Sequence, residues 1–352
     1  MSFYLTEVPA DGQAYGRVIP PRPDWLALAE PEEILDPDLE IVDSHHHLWD
    51  RPAFRYLLHE FLEDLGSGHR IVATVFADAG VMYRATGPEI LRPVGETEFV
   101  AGVAAMSESG DYGPVRVCEG IVGRADIAAG DVVEEALDRH IAAGGSRFRG
   151  IRQSGAWDAD ARVLAPTSSS PGLYTTPGFL RGARKLADRE LVFDAWVFHP
   201  QLPDVVSLAD AVPELAIVVD HSGGPIGYGP YADRWDDMVA TWKRSLAALA
   251  QRPNVVLKLG GLTARLGAFD YLQLPTPLTS EKLAELWAPF LETGIELFGA
   301  DRCMFESNFP VDKIGVPYAS LWNAFKRVAA GASESEKQSL FNGTARRVYR
   351  LT

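Results

Sequence analysis

Cysteine is nearly absent: the 352 residues include two, Cys118 and Cys303. Each sits inside an apolar run that reads as a strand, so both read as small buried core residues, and no disulfide framework is indicated. No apolar run approaches the roughly 20 residues that a membrane-spanning helix needs, so no membrane partner is expected. Basic residues are outnumbered: 33 Lys and Arg face 48 Asp and Glu, for a net charge of −15. That balance argues against nucleic acid as a partner, because phosphate binding needs clustered Lys and Arg. It leaves room for a small anionic substrate, which a local pair of arginines can hold. No P-loop or dinucleotide fingerprint stands at any strand–helix junction, so no nucleotide or organic cofactor is expected. There is no solenoid repeat and no low-complexity tract. Met1–Glu7 lacks the basic start and apolar core of an export signal; with the thiols reduced, this predicts a cytoplasmic protein.

What is present begins with a 47% hydrophobic fraction, ample for a large core. Residues 1–38 are rich in Pro, Gly and acid, including Pro20-Pro21-Arg22-Pro23, and predict an extended arm lying on the main domain. Residues 39–352 predict one further domain. Within it, short β-branched runs alternate with helical patterns. The runs are 41–47, 71–78, 117–123, 148–153, 191–198, 216–221, 254–259 and 303–308. Short continuous apolar runs bounded by Gly, Pro or Asp suit strands buried on both faces of a parallel sheet. Eight such strands with single crossovers predict an α/β fold, a (β/α)8 TIM barrel. A doubly wound open sheet is the rival; it would carry a Gly-rich loop after its first strand, where this chain is His-rich.

The barrel prediction puts the active site at the C-terminal ends of the strands. The first run ends Asp43-Ser44-His45-His46-His47-Leu48-Trp49. Strand alternation places Asp43, His45 and His47 on one face and Ser44 and His46 on the other. Two imidazoles two apart on a rigid strand can share one divalent ion. His199 ends the fifth strand and His221 the sixth, so four of the eight histidines converge on one end. Arg152 on the fourth strand is placed to hold an anionic group by its bidentate fork; its blander reading is a structural ion pair. Arg124, Tyr83 and Trp157 stand at loop positions around the mouth as weaker substrate contacts. Lys258 on the seventh strand is costly to bury unpaired, so it either pairs with Glu306 or Asp220 or touches substrate.

Taken together, several pieces resemble the amidohydrolase superfamily. They are Asp43-x-His45-x-His47-Leu48-Trp49, Gly150-Ile151-Arg152, His199-Pro200, Asp220-His221-Ser222-Gly223-Gly224-Pro225 and Cys303-Met304-Phe305-Glu306-Ser307-Asn308-Phe309-Pro310. The resemblance runs from Ile41 to Leu351 and is to the branch holding lactonases of pyrone dicarboxylates and sugar lactones, with related decarboxylases. It implies hydrolysis of a lactone by an activated water. A cyclic amide or other C–N substrate, and metal-dependent non-oxidative decarboxylation, are the alternatives. It also implies one divalent metal, zinc, on His45, His47 and His199, although several members of the branch work without a tightly bound metal. One departure stands out. The family usually has Asp where this chain has Asn308, and an amide cannot accept a proton at neutral pH. His221 is then the first substitute as base, with Glu306 and Asp312 as rivals. A small carboxylate-bearing substrate is expected, and a homo-oligomer is compatible with everything above.

Overall fold

The computed structural model describes residues 17–160, 163, 169–263, 271 and 273–352. Its central element is an eight-stranded parallel sheet in sequential order. The strands are β1 (Ile41–His46), β2 (Ile71–Ala77), β3 (Arg116–Gly123), β4 (Phe148–Ser154), β5 (Val192–Trp196), β6 (Ile217–Val219), β7 (Val255–Leu259) and β8 (Cys303–Phe305). The ends of β1 and β8 meet: Asn308 N donates to His45 O at 2.9 Å and His47 N to Phe309 O at 2.7 Å. A TIM barrel results, as the alternation of runs and helices predicts. A small antiparallel hairpin, Trp49–Arg51 with Phe54–Tyr56, follows β1.

Two apolar layers hold the barrel. The larger lies between strands and helices; Ile41, Phe76, Ile121, Phe193, Ile217, Leu257 and Phe305 meet helical partners such as Leu137, Phe179, Trp242, Leu291 and Phe325 there. The second fills the interior near the strand N-termini: Val42, Ala73, Val75, Val122, Val192, Val218, Val256 and Met304, plugged by Ala345, Tyr349 and Leu351 from the chain's last turns. Residues 17–38 lie across the helices. Val18, Ile19 and Trp25 are buried, Trp25 Nε1 donates to Leu274 O at 2.9 Å, and Lys326 Nζ donates to Leu35 O at 2.7 Å. Residues 1–16 of the expected arm lie outside the described residues.

One local expectation fails. The pairing of β1 with β2 shifts register between Asp43 and His46, so three steps on β1 match two on β2. Such a bulge breaks strict alternation. Asp43 therefore does not share a face with His45. It points into the strand–helix layer, where its carboxylate accepts from Ser307 N at 2.9 Å, Ser307 Oγ at 2.6 Å and Tyr318 Oη at 2.9 Å. Its task is to tie β1 to the end of β8.

Candidate active site

Alternation along the strands builds the floor of the site. Two residues beyond the interior Val192, Val218, Val256 and Met304 stand Asp194, Asp220, Lys258 and Glu306, all fully buried. A charged layer thus rests directly on the apolar one. Lys258 Nζ lies 2.7 Å from Asp194 Oδ2 and 3.1 Å from Asp220 Oδ1. Asp194 Oδ2 also accepts from Tyr349 Oη at 2.8 Å, which links the floor to the plug. Arg152 Nε lies 3.1 Å from Asp220 Oδ2 and 3.8 Å from Asp78 Oδ1. Buried carboxylates survive ionised only beside such partners. Burial opposes the charge on Asp220, but Lys258, His45 and Arg152 together hold its carboxyl well below the usual range. At Asp194 burial prevails over Lys258 and the carboxyl is raised.

The histidines stand on this floor. His47 Nδ1 lies 2.9 Å from Ala77 O, so it carries the proton and leaves Nε2 as an acceptor. Burial, then His45 and Arg152, push His47 well below the usual histidine range, so it is neutral. His45 Nε2 faces His47 Nε2 at 3.2 Å, and its Nδ1 faces Glu306 Oε2 and Lys258 Nζ, each at 3.1 Å. His221 Nδ1 lies 2.8 Å from Glu306 Oε1, which also accepts from the His221 backbone N at 2.9 Å. Burial lowers His221 to about 4 although Glu306 opposes the shift, so its ring is a neutral base near pH 7. The His45 and His221 rings lie with centroids 4.7 Å apart, tilted 52° to each other.

The other expected site residues are placed as follows. His199 is buried against Tyr231, with ring centroids 4.9 Å apart, and its Nδ1 has no hydrogen-bond partner. Burial lowers its pKa to about 4. Asn308 Nδ2 donates to Asp312 Oδ1 at 3.2 Å while its buried Oδ1 has no partner. Trp157 is held by Gln201 through its backbone N and O. The buried hydroxyl of Tyr83 has no partner, and Arg124 Nη1 lies 3.9 Å from Asp78 Oδ2. Lys258, a candidate for touching substrate, is instead fully buried and paired beneath His45. His46 faces outward onto Phe61 and Thr74, as a structural histidine. Asp194 and the Glu306 bridge between His45 and His221 were not singled out by the sequence reading; the Val-x-Asp, Val-x-Asp, Val-x-Lys and Met-x-Glu repeats at 192, 218, 256 and 304 carry the signal.

Two donor sets bear on a metal. Among the described residues, His45, Asp220 and His221 have ligand atoms within 4.8 Å of one another. Lys258 Nζ already sits 3.1 Å from both His45 Nδ1 and Asp220 Oδ1, so an ammonium fills the cation position of that set. The second set is the converging Nε2 pair of His45 and His47. Two imidazoles bound to one zinc at about 2.0–2.1 Å in tetrahedral geometry stand about 3.3–3.4 Å apart, close to the 3.2 Å here. The unpartnered Asn308 Oδ1 sits on the seam that joins β8 to β1 and offers a neutral oxygen. The spacing of the Nε2 pair suits an ion, although Arg152 Nη1 also stands 3.4 Å from His45 Nε2; His199 does not complete a set of three with the pair.

The site is thus a set of buried histidines over paired cations at the C-terminal end of a TIM barrel. The amidohydrolase family profile matches residues 42–351. The chain belongs to that family. It is 33% identical to the uncharacterized protein y4mH of Sinorhizobium fredii over 89% of this chain and 99% of that one. It is 27% identical to L-fucono-1,5-lactonase of Burkholderia multivorans over 88% of this chain and 96% of the relative. Among solved structures, a Burkholderia multivorans amidohydrolase with bound zinc superposes with a TM-score of 0.67 at 26% identity, covering 89% and 99% of the two chains. No described helix is long and apolar enough to cross a membrane.

Proposed function

We propose that this hydrolase opens a neutral lactone, by attack of water on the ring carbonyl beside His45, His47 and His221. One observation carries the reading: His221 is a neutral imidazole whose Nδ1 is committed to Glu306, which leaves Nε2 as the base. Water gives its proton to Nε2 as its oxygen joins the carbonyl carbon. The imidazolium returns that proton to the ring oxygen as the C–O bond breaks, and the hydroxy acid product ionises. Zinc held by His45 and His47 would polarise the carbonyl and acidify the water. Arg124, Trp157 and Tyr83 are proposed contacts to the ring substituents, and His199 a contact at the same mouth.

The charge balance of the site supports a neutral ring over an anionic one. Asp78, Asp194, Asp220 and Glu306 supply four carboxylates, while Arg124, Arg152 and Lys258 supply three cations, each already facing a carboxylate. Arg152, expected to grip a substrate carboxylate, has its Nε 3.1 Å from Asp220 Oδ2 and its Nη1 3.3 Å from Asp78 O and 3.4 Å from His45 Nε2. A neutral sugar lactone meets no net repulsion there, and the L-fucono-1,5-lactonase relative supports that class. The test is proton release from a panel of neutral sugar lactones, pyrone dicarboxylates and cyclic amides, with CO2 release from aromatic acids measured in parallel. Turnover confined to cyclic amides, or CO2 release without lactone opening, would overturn the reading.

A further inference from the structure

His221 cannot hold its base geometry unaided. It adopts φ of +55° and the following Ser222 +53°, two successive left-handed residues without a glycine. Such conformations are strained for a residue with a Cβ and persist only where the surroundings enforce them. Here Trp242 Nε1 donates to Ser222 O at 2.8 Å, while Ser222 Oγ and the backbone of Gly260 exchange two hydrogen bonds of 3.2 Å. The turn is held, but none of these contacts touches the imidazole.

Glu306 does. One oxygen, Oε1, receives both the backbone N–H and the Nδ1–H of His221, at 2.9 and 2.8 Å. Two donors of one residue on one acceptor fix the ring's rotation and its tautomer together. The second oxygen, Oε2, lies 3.1 Å from His45 Nδ1, so the same carboxylate spans both rings. Space for this arrangement comes from β7's end. A Cβ on Gly260 would stand 2.6 Å from Glu306 Cγ, and one on Gly261 would stand 2.5 Å from His221 Cγ and Nδ1. Trp196 closes the other side of the ring, edge-on at 5.3 Å. Asn308, two residues along, accepts no proton and spends its amide nitrogen on Asp312.

We propose that Glu306 is the positioning residue of this site: it fixes His221 as the Nδ1–H tautomer with a bare Nε2, faces the imidazolium with a full negative charge during turnover, and is seated by Gly260-Gly261. This deepens the reading of His221 as base and rests on it for the kinetic arm alone. The experiment has two arms. Long-range 1H–15N spectra of the 15N-labelled wild type near pH 7, with His221 assigned by the peaks missing in His221→Gln, report the tautomer without any substrate. The expected result is a protonated Nδ1 and a bare Nε2; a proton on Nε2 overturns the proposal. In the second arm Glu306→Ala lowers kcat for L-fucono-1,5-lactone by about 10²–10⁴-fold, the range of a positioned base, with KM changed less than about threefold. Glu306→Gln keeps an acceptor oxygen for the two N–H groups but no charge, so it retains the tautomer and an intermediate kcat. Folded Ala and Gln variants that both keep wild-type kcat, or a loss confined to KM, overturn it. If no lactone is turned over, the reading of the reaction fails while the tautomer arm still decides the role of Glu306.

Discussion

Lys258→Met is the sharpest perturbation of the charged floor. The ammonium lies within 3.1 Å of Asp194, Asp220 and His45 Nδ1, and all four residues are fully buried. Methionine fills much of the volume but leaves two carboxylates facing each other's field. Removing one partner of a buried pair typically costs about 3–5 kcal/mol. With an unfolding entropy of about 2.1 cal/mol/K per residue, this chain loses about 0.7 kcal/mol of stability per degree, so Tm falls by about 4–7 °C. The pH dependence is the stricter test. The depressed Asp220 carboxyl contributes stability that is present above the usual carboxylate range and lost as pH falls through its folded value. The raised Lys258 contributes stability that is present below the usual lysine range and lost only as pH rises through its folded value. Across neutral pH the wild type has both; the variant loses the lysine's contribution and keeps only what His45 and Arg152 give Asp220. Asp194, already raised by burial, rises further without Lys258, and taking up a proton relieves the variant. The Tm deficit should therefore narrow as pH falls from neutral in calorimetric scans. A deficit under about 1 kcal/mol, or one unchanged with pH, would refute the reasoning, because it would mean the floor is hydrated rather than dry.

Other substitutions read other parts of the site. Asn308→Asp sets a carboxylate beside Asp312, which now accepts from the Asn308 amide at 3.2 Å; the variant is expected to lose stability in chelator and to regain more than the wild type on adding zinc, by thermal melts and elemental analysis. Equal zinc content in both proteins after dialysis would put Asn308 beyond the ion's reach. Gly261→Ala drives a Cβ into the His221 ring and sits at φ of +64°. It is expected to cut kcat at least about tenfold at a stability cost of about 1–3 kcal/mol, and wild-type turnover in that variant would show that the ring does not rest on Gly261.

The barrel was legible because strands buried on both faces read as uninterrupted β-branched runs. All eight runs overlap the observed strands, from Ile41–His46 to Cys303–Phe305. The ends were less so. The sixth run was expected to reach His221 but β6 stops at Val219, since His221 enters a left-handed turn that residue type alone does not announce. Asp43 was assigned to the wrong face by the register shift before His46, which depends on pairing with β2. The histidines at 45, 47 and 221 were found by their positions at strand ends. Their partners were harder: which of Asp194, Asp220 and Glu306 meets Lys258 is set by packing across the barrel, by residues more than 30 positions apart in the chain. For the same reason the sequence suggested Arg152 as a free anion receptor, while the fold places Asp220 against its Nε at 3.1 Å.

The most direct test of the central claim compares saturating turnover of neutral L-fucono-1,5-lactone with that of a pyrone dicarboxylate, followed by proton release, in the wild type and in His221→Gln. The wild type is expected to open the neutral ring in preference to the dicarboxylate. His221→Gln is expected to lose at least about 10²-fold in kcat while remaining folded. Preference for the dicarboxylate, or undiminished turnover in His221→Gln, would contradict that claim.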